Sequence, residues 1–297
     1  MLESLTSNLK YVHIWRYYSR LRSAKQLKGQ INAFAKKSNL QSQEVLQIYI
    51  FERIIDRLSK SQYSSKFIIK GGFLISSMIG ISERTTMDID TTVTGITMNE
   101  NEIKHVIKEI LNIDVNDGFI FIFDYIEAIR EKDDYNNYRI HIIAKFGKIN
   151  NPMKIDITTG DSITPAAINY SYKSILDNYT IPIMAYNLES IIAEKYETII
   201  RRNIGSTRAR DFYDLYKLYN LYKNSINYDI LKLAIINTSK NRDSLDMINI
   251  SSEIIEDIEN DSTLISIWNT YCSSNSYITG VSYKDIIKSL REISSKL

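Results

Sequence analysis

Apolar positions along the chain follow a helical period first and an alternating one afterwards. Residues 8–59 read as helices. In SQEVLQIYIFERIIDRLSK the residues Ile48, Phe51, Ile55 and Leu58 fill an apolar face, with Val45, Tyr49 and Glu52/Arg53 about a turn apart. The short run KFIIK predicts a strand, Gly71-Gly72 the turn after it, and FLISSMIG a short helix that stops at Gly80. TMDIDTTVTGI, rich in β-branched residues, predicts a second strand, and NEIKHVIKEILNI an amphipathic helix. FIFIFDYIEAIR and NYRIHIIAKFG predict two strands joined by the polar EKDDYNN, and a KINNP connection leads to another strand in MKIDITTG. From about Ile181 the pattern turns helical; NLESIIAEKYETIIRRN and RARDFYDLYKLYNLYKN are its clearest segments. This order predicts an α+β fold with a mixed or antiparallel sheet and flanking helices over residues 1–182, then a helical domain over 183–297. The boundary falls in NYTIPIMAYN.

Composition narrows the class. With 44% hydrophobic and 24% charged residues in 297, the chain reads as a soluble globular protein of one large or two modest domains. Its one cysteine, Cys272, excludes an internal disulfide, and the three histidines (His13, His105, His141) are too scattered to suggest a zinc cluster. No apolar run approaches a membrane span, and MLESLTSNLKYVHIW lacks a signal-peptide pattern, so a cytoplasmic protein without membrane association is expected.

The net charge of +2 hides an asymmetry. Lys10, Arg16, Arg20, Arg22, Lys25, Lys28, Lys36 and Lys37 follow one another with no acid among them, interleaved with Tyr11, Trp15, Tyr17 and Tyr18. Cations neutralise phosphates and aromatic rings stack on bases, which makes this segment a candidate nucleic-acid surface; a solvated basic helix face is the alternative. From Asp243 to Tyr283 there are seven acids and no Lys or Arg.

The candidate chemistry lies on the strands. Side chains i and i+2 share a face of a strand, so Asp88 and Asp90 point the same way. Adjacent carboxylates repel unless a cation separates them or one is protonated, and Mg²⁺ takes oxygen ligands while leaving positions open for phosphate. Asp156, flanked by Ile155 and Ile157, brings a third carboxylate to the same patch if its strand lies beside that of Asp88 and Asp90. Such a set suits metal ions that activate a hydroxyl and stabilise a leaving oxygen. Gly71 and Gly72 open a helix whose N–H groups and dipole favour phosphate, and Ser76 and Ser77 are placed to add hydroxyls.

Two helices extend the pattern. Lys195 falls in the middle of the apolar stripe formed by Leu188, Ile191, Ile192 and Ile199, with Glu197 facing away. Lysine is rarely buried without a partner, so Lys195 is a candidate for neutralising phosphate charge or moving a proton; a structural lysine is the alternative. In RARDFYDLYKLYNLY, Asp211 suits the helix dipole, and Arg208 and Asp211 are candidates for contacting a nucleotide or orienting Lys195. Arg210 and Asp214 are expected to pair on a more exposed side.

The run from INAFAKKSN through KGGFLIS and ERTTMDIDTTV, then KIDITTGD, NLESIIAEKYETI and RARDFYDLY, resembles the AbiEii/AbiGii toxin family, a branch of the nucleotidyltransferase superfamily, over roughly Ala33 to Tyr222. The resemblance implies a polymerase-β-like nucleotidyltransferase sheet with a helical C-terminal domain. It also implies the toxin half of a type IV toxin–antitoxin pair used in abortive infection against phage. It assigns Gly71 and Gly72 to the triphosphate, Asp88 and Asp90 to Mg²⁺, Asp156 to the third position of the metal triad, and Lys195 and Asp211 to the later motifs. The implied reaction moves a nucleotide from an NTP, GTP among the candidates, onto an acceptor such as the 3′ end of tRNA. The implied antitoxin is a repressor that acts without a stable complex. Two features depart from the family pattern: Phe73 follows the glycine pair where a small hydroxyl residue is usual, and the gap from Gly72 to Asp88 is long. A metal-dependent nuclease using the same carboxylates and a non-enzymatic nucleic-acid-binding regulator are the rival readings.

Overall fold

The computed structural model describes residues 22–129 and 137–297. The basic and aromatic positions from Lys10 to Arg20 lie outside the described residues. Of the other members of that segment, Lys25, Lys28, Lys36 and Lys37 are exposed, whereas Arg22 donates to Tyr49 and pairs with Asp177.

The elements in chain order are α1 (Ala24–Ser38), α2 (Ser42–Ser59), β1 (Phe67–Lys70), α3 (Gly71–Ile79), β2 (Ile89–Val93), α4 (Glu100–Leu111), β3 (Ile120–Ile129), β4 (Asn137–Phe146), β5 (Ile149–Thr158), β6 (Ile168–Lys173) and β7 (Thr180–Ala185). Helices follow: α5 (Leu188–Arg202), α6 (Ala209–Tyr222), α7 (Tyr228–Asn241), α8 (Leu245–Asn249), α9 (Ser251–Asn260), α10 (Ser262–Ser274) and α11 (Tyr283–Ser294). Seven strands form one mixed sheet in the order β3-β4-β5-β2-β1-β7-β6, the α+β arrangement expected from the pattern. The β3–β4 and β4–β5 pairs are antiparallel; β2–β5 and β1–β7 are parallel.

Two compact units make up the chain. The first comprises the described residues up to Phe67, Thr86–Thr159 and Ser171–Ile183; the second comprises Ile68–Thr85, Gly160–Tyr170 and Met184–Leu297. In the first unit, β4 and β5 bury alternate residues, Ile140, Ile142 and Ala144 on one and Met153, Ile155 and Ile157 on the other, and α4 packs against α2 and β3. In the second, α5 packs against α6 and α7.

Two stretches that the sequence reading assigned differ from it, and β6 is a strand it did not predict. KINNP is largely strand, not connection. Phe146 pairs with Ile149, which leaves a two-residue turn at Gly147-Lys148, and Gly147 takes the left-handed φ of 56° that such a turn requires. Pro152 is tolerated in β5 because β2 flanks that strand only from Ile155 to Thr158. NYTIPIMAYN contains β7, in which Ile181, Ile183 and Ala185 are buried in strand alternation, so the helical pattern begins only at Leu188.

Helix α2 also departs from a simple amphipathic pattern, since every residue from Gln47 to Leu58 is buried. Its charges are met internally. Arg57 donates to both oxygens of Asp117 at 2.7 and 2.8 Å. The Arg53 guanidinium lies 4.8 Å from the Tyr49 ring centroid and 3.6–3.7 Å from Glu52, Asp56 and Asp177. Glu52 accepts from Ser174 Oγ at 2.6 Å, Ile175 N at 2.8 Å and the Tyr172 hydroxyl at 3.2 Å.

Burial dominates at Glu52 and pushes its carboxyl up to about 7, against the pull of Arg53 and the hydrogen bonds. The folded chain therefore holds this proton more tightly than the unfolded chain. That contribution is complete below the ordinary value of 4.5 and is lost as pH rises through 7. At about 1.4 kcal/mol per unit, it is worth on the order of 3 kcal/mol. Thermal melts from about pH 5 upward are expected to show the wild type losing stability more steeply than Glu52→Gln until about pH 7, and no longer above it. Equal slopes for the two proteins would contradict this.

Candidate active site

In the first unit the site is built on β2, β4 and β5. Asp88 immediately precedes β2, and its Oδ1 accepts a hydrogen bond from Thr86 Oγ1 at 2.8 Å. Asp90, on β2, is in register with Asp156 on β5, so the two carboxylates sit side by side on one face while Ile89, Ile155 and Ile157 are buried. The strand adjacency on which the sequence argument depended is present.

Arg139 of β4 faces Asp156 across the ladder and donates to its two oxygens from Nε and Nη2, each at 2.7 Å. The Asp156 hydrogen bonds hold the guanidinium above its ordinary range, with a smaller contribution from the charge of Asp88. The sequence reading did not single out Arg139. Its signal was the alternation in NYRIHIIAKF, which sets Arg139 and His141 on the face opposite Tyr138, Ile140 and Ile142. Among the described residues no three His, Cys, Asp or Glu side chains are gathered as a metal-binding group.

In the second unit, β1 ends at Lys70, which donates to Asp161 at 2.7 Å and lies 3.6 Å from Glu194. Gly71 then adopts φ 63°, a left-handed conformation costly for a residue with a Cβ, and α3 starts there with no side-chain cap on its first turn. Phe73 is fully buried, so the side chain that stands in place of the usual small hydroxyl is a core residue. Ser76 is buried too, and its hydroxyl donates to the Phe73 carbonyl at 2.8 Å; that of Ser77 donates to Leu74 at 2.7 Å. Both hydroxyls are thus engaged with carbonyls of their own helix.

Lys195 and Asp211 are brought together. Lys195 Nζ donates to Asp211 Oδ1 at 2.6 Å and lies 3.2 Å from Asp214 Oδ2, and Arg84 Nε donates to Asp214 Oδ1 at 2.8 Å. Burial alone would lower the Lys195 pKa, but Asp214 and Asp211 outweigh it and hold the ammonium above its ordinary value. Burial would likewise raise the Asp214 carboxyl, but Lys195 and Arg84 hold it below its ordinary value. Asp211 Oδ2 is buried without a hydrogen-bond partner. Arg208 is the residue before α6, and its carbonyl accepts from Asp211 N at 3.0 Å.

Two expectations about these helices are corrected. Asp214 is not on an exposed side paired with Arg210; it is fully buried between Lys195 and Arg84. Glu197 does not face away into solvent, because it is fully buried and accepts from Arg201, Arg242 and Ser244. Helix α5 packs against both α6 and α7, which a single-stripe reading of the helix misses. The i,i+3 spacing of Asp211 and Asp214 was the available signal for Asp214, since it places both on the side that meets Lys195. Nothing local in the sequence marks Arg84 as the partner of Asp214.

The class these features belong to is that of the nucleotidyltransferases. The family model of the AbiEii nucleotidyl transferase toxins, of type IV toxin–antitoxin systems, matches residues 53–279, and the chain belongs to that family. Membership makes it a nucleotidyltransferase toxin and implies a nucleotide substrate and an antitoxin partner.

Similar solved structures include JHP933 from Helicobacter pylori, 18% identical, covering 87% of this chain and 94% of that one with a TM-score of 0.49. The nucleotidyltransferase toxin MenT4 (Rv2826c) from Mycobacterium tuberculosis H37Rv is 11% identical, with 90% and 97% covered and a TM-score of 0.48. The antibiotic-resistance factor ANT(2'')-Ia is 15% identical, with 70% and 99% covered and a TM-score of 0.39. No curated protein matches the chain at a significant level. No helix among the described residues is long and apolar enough to cross a membrane.

Proposed function

We propose that this toxin is Mg²⁺-dependent and moves a nucleoside monophosphate from an NTP, GTP among the candidates, onto a hydroxyl of an RNA acceptor such as the 3′ end of tRNA. Growth arrest during phage infection follows, relieved by an antitoxin that forms no stable complex with it. The observation that carries this reading is the register of Asp90 with Asp156, with Asp88 two residues before Asp90. The donor set fits the ion, because Mg²⁺ prefers carboxylate oxygens and retains positions for phosphate. Asp156 is compatible with that role. A carboxylate offers about four lone-pair positions and the Arg139 fork uses two of them. When bound, Mg²⁺ supplies charge stabilisation at the attacking and leaving oxygens.

The chain's own residues do the rest. Asp88, Asp90 and Asp156 would hold the ions. Arg139 fixes the direction of the Asp156 carboxylate through two hydrogen bonds, so that Asp156 is placed to take the acceptor hydroxyl's proton. The acceptor oxygen bonds to the α-phosphorus as the bond to the β-phosphate oxygen breaks, and pyrophosphate departs with the displaced charge. The first-turn amides of α3, beginning at Gly71 and Gly72, are assigned to phosphate, and Lys195 to its negative charge. Asp211, whose Oδ2 has no hydrogen-bond partner, and Arg208 are assigned to the nucleotide.

Incubation with each α-³²P-labelled NTP and total cellular RNA or protein tests the proposal. Label appearing in RNA is the expected result. RNA shortening without NTP would identify a nuclease instead, and label confined to protein would move the acceptor to a protein hydroxyl.

A further inference from the structure

The β3–β4–β5 part of the sheet buries one face and leaves the other open. On the open face the register aligns Glu127, Arg139, Asp156 and Asp90 in one row, and Tyr125, His141 and Lys154 in the next. A bulge between Phe123 and Tyr125 keeps Ile122, opposite Ile143, on that same face, and Ile120 pairs with Lys145 beyond it. The strand rim is unusually apolar for open surface: Ile120 is 64%, Ile122 38% and Tyr125 48% exposed.

Tyr125 and His141 form a ready-made stack, with ring centroids 3.9 Å apart and planes 12° from parallel. His141 is tied in turn to Glu127 through Nε2 at 2.9 Å. The ring pair is thereby held in place before any ligand arrives, which reduces the ordering cost of stacking a third ring on it. Exposed cations border the stack: Lys154 lies in the row of Tyr125 and His141, and Lys145 stands opposite Ile120.

We propose that this open face, centred on Tyr125 and His141, is the platform on which a single-stranded nucleic-acid acceptor lays its bases as its reacting hydroxyl approaches Asp156. The inference rests on the transferase reading above and adds the surface and the strandedness of the acceptor. Only unpaired bases offer a free ring to stack, and exposed lysines beside aromatic rings are the usual composition of such platforms. Tyr125 lies two strands from Asp156, about 10 Å across the sheet, so the stacked base belongs to a nucleotide upstream of the reacting one.

The test uses the full-length protein and a fluorescently labelled single-stranded RNA oligonucleotide, with binding read by anisotropy and nucleotide transfer to the same oligonucleotide read in parallel. Tyr125→Ala is expected to weaken RNA binding about tenfold or more and to raise KM for RNA, with KM for NTP unchanged. Tyr125→Trp is expected to keep binding, and Lys154→Glu to weaken it and reduce its salt dependence. Unchanged RNA affinity in Tyr125→Ala, or no binding of the oligonucleotide by the wild type, overturns the platform. So does a wild-type dimer that Tyr125→Ala converts to a monomer, since the face would then be a contact between copies of the chain. If RNA binding depends on Tyr125 but nothing is labelled by any NTP, the platform stands and the transferase reading fails. Labelling of RNA with equal KM in both proteins fails the platform alone.

Discussion

Replacing Asp88 and Asp90 together by alanine is expected to abolish nucleotide transfer and growth arrest while leaving a folded protein. Both side chains are half-buried at the start of β2, and the core-facing residue between them, Ile89, is untouched. Little packing is lost, so thermal stability is expected to stay close to that of the wild type. The activity loss is large for an electrostatic reason. Metal ions at the reacting oxygens contribute several kcal/mol to stabilising the transition state, and each 1.4 kcal/mol or so is a factor of ten in rate. A drop of roughly a thousandfold or more follows. Growth assays with expression matched by immunoblot, and transfer assays on the purified variant, check it. A folded, expressed double variant that still arrests growth would show that these carboxylates are solvated acids rather than metal ligands.

The largest effect on stability is expected at Asp214. This carboxylate has no exposed surface and is shared by Lys195 and Arg84. Asp214→Ala leaves two cations in a buried environment, with only Asp211 close to Lys195. Removing one partner of such a buried set costs about 3–5 kcal/mol. Lys195→Met is expected to be milder for stability, because Asp214 keeps Arg84, but to lower transfer through loss of the phosphate-neutralising charge. Denaturant melts and transfer rates on the two variants check the contrast. Equal stability losses, or a Lys195→Met protein with full activity, would assign Lys195 to structure alone. The native Asp214 carboxyl is held below its ordinary value, so its contribution is present above the unfolded value of 3.8 and is lost on acidification below it.

What could be read from the sequence followed periodicity and residue type; what could not depended on tertiary partners. The strand alternation around Asp88, Asp90 and Asp156 was visible because a buried isoleucine adjoins each of them, and the β2–β5 register brought Asp90 beside Asp156. Lys195 was visible because a lysine interrupted an apolar stripe, and its partner Asp211 was among the candidates named with it. Arg139 was missed because its meaning comes only from the β4–β5 register. Arg84 was missed, and Asp214 was placed on an exposed side with Arg210, because two residues 130 positions apart in sequence complete one buried charge set. Helices α2 and α5 were read as one-faced, since a sequence pattern shows which residues prefer burial but not that charged ones are also enclosed when a partner is supplied. Glu197 with Arg242 and Arg57 with Asp117 are such cases. The strands β6 and β7 and the start of β5 were obscured by prolines, asparagines and tyrosines that resemble loop composition yet sit in ladders.

The most direct test of the central claim is the intact mass of a defined single-stranded RNA after incubation with the protein, Mg²⁺ and one NTP at a time. Nucleotidyl transfer predicts a product heavier than the input by one or more nucleoside monophosphates, pyrophosphate in matching amount, and neither when Asp88 and Asp90 are both alanine. RNA of unchanged mass with every NTP and with total cellular RNA as acceptor, or RNA that becomes lighter, would contradict the account.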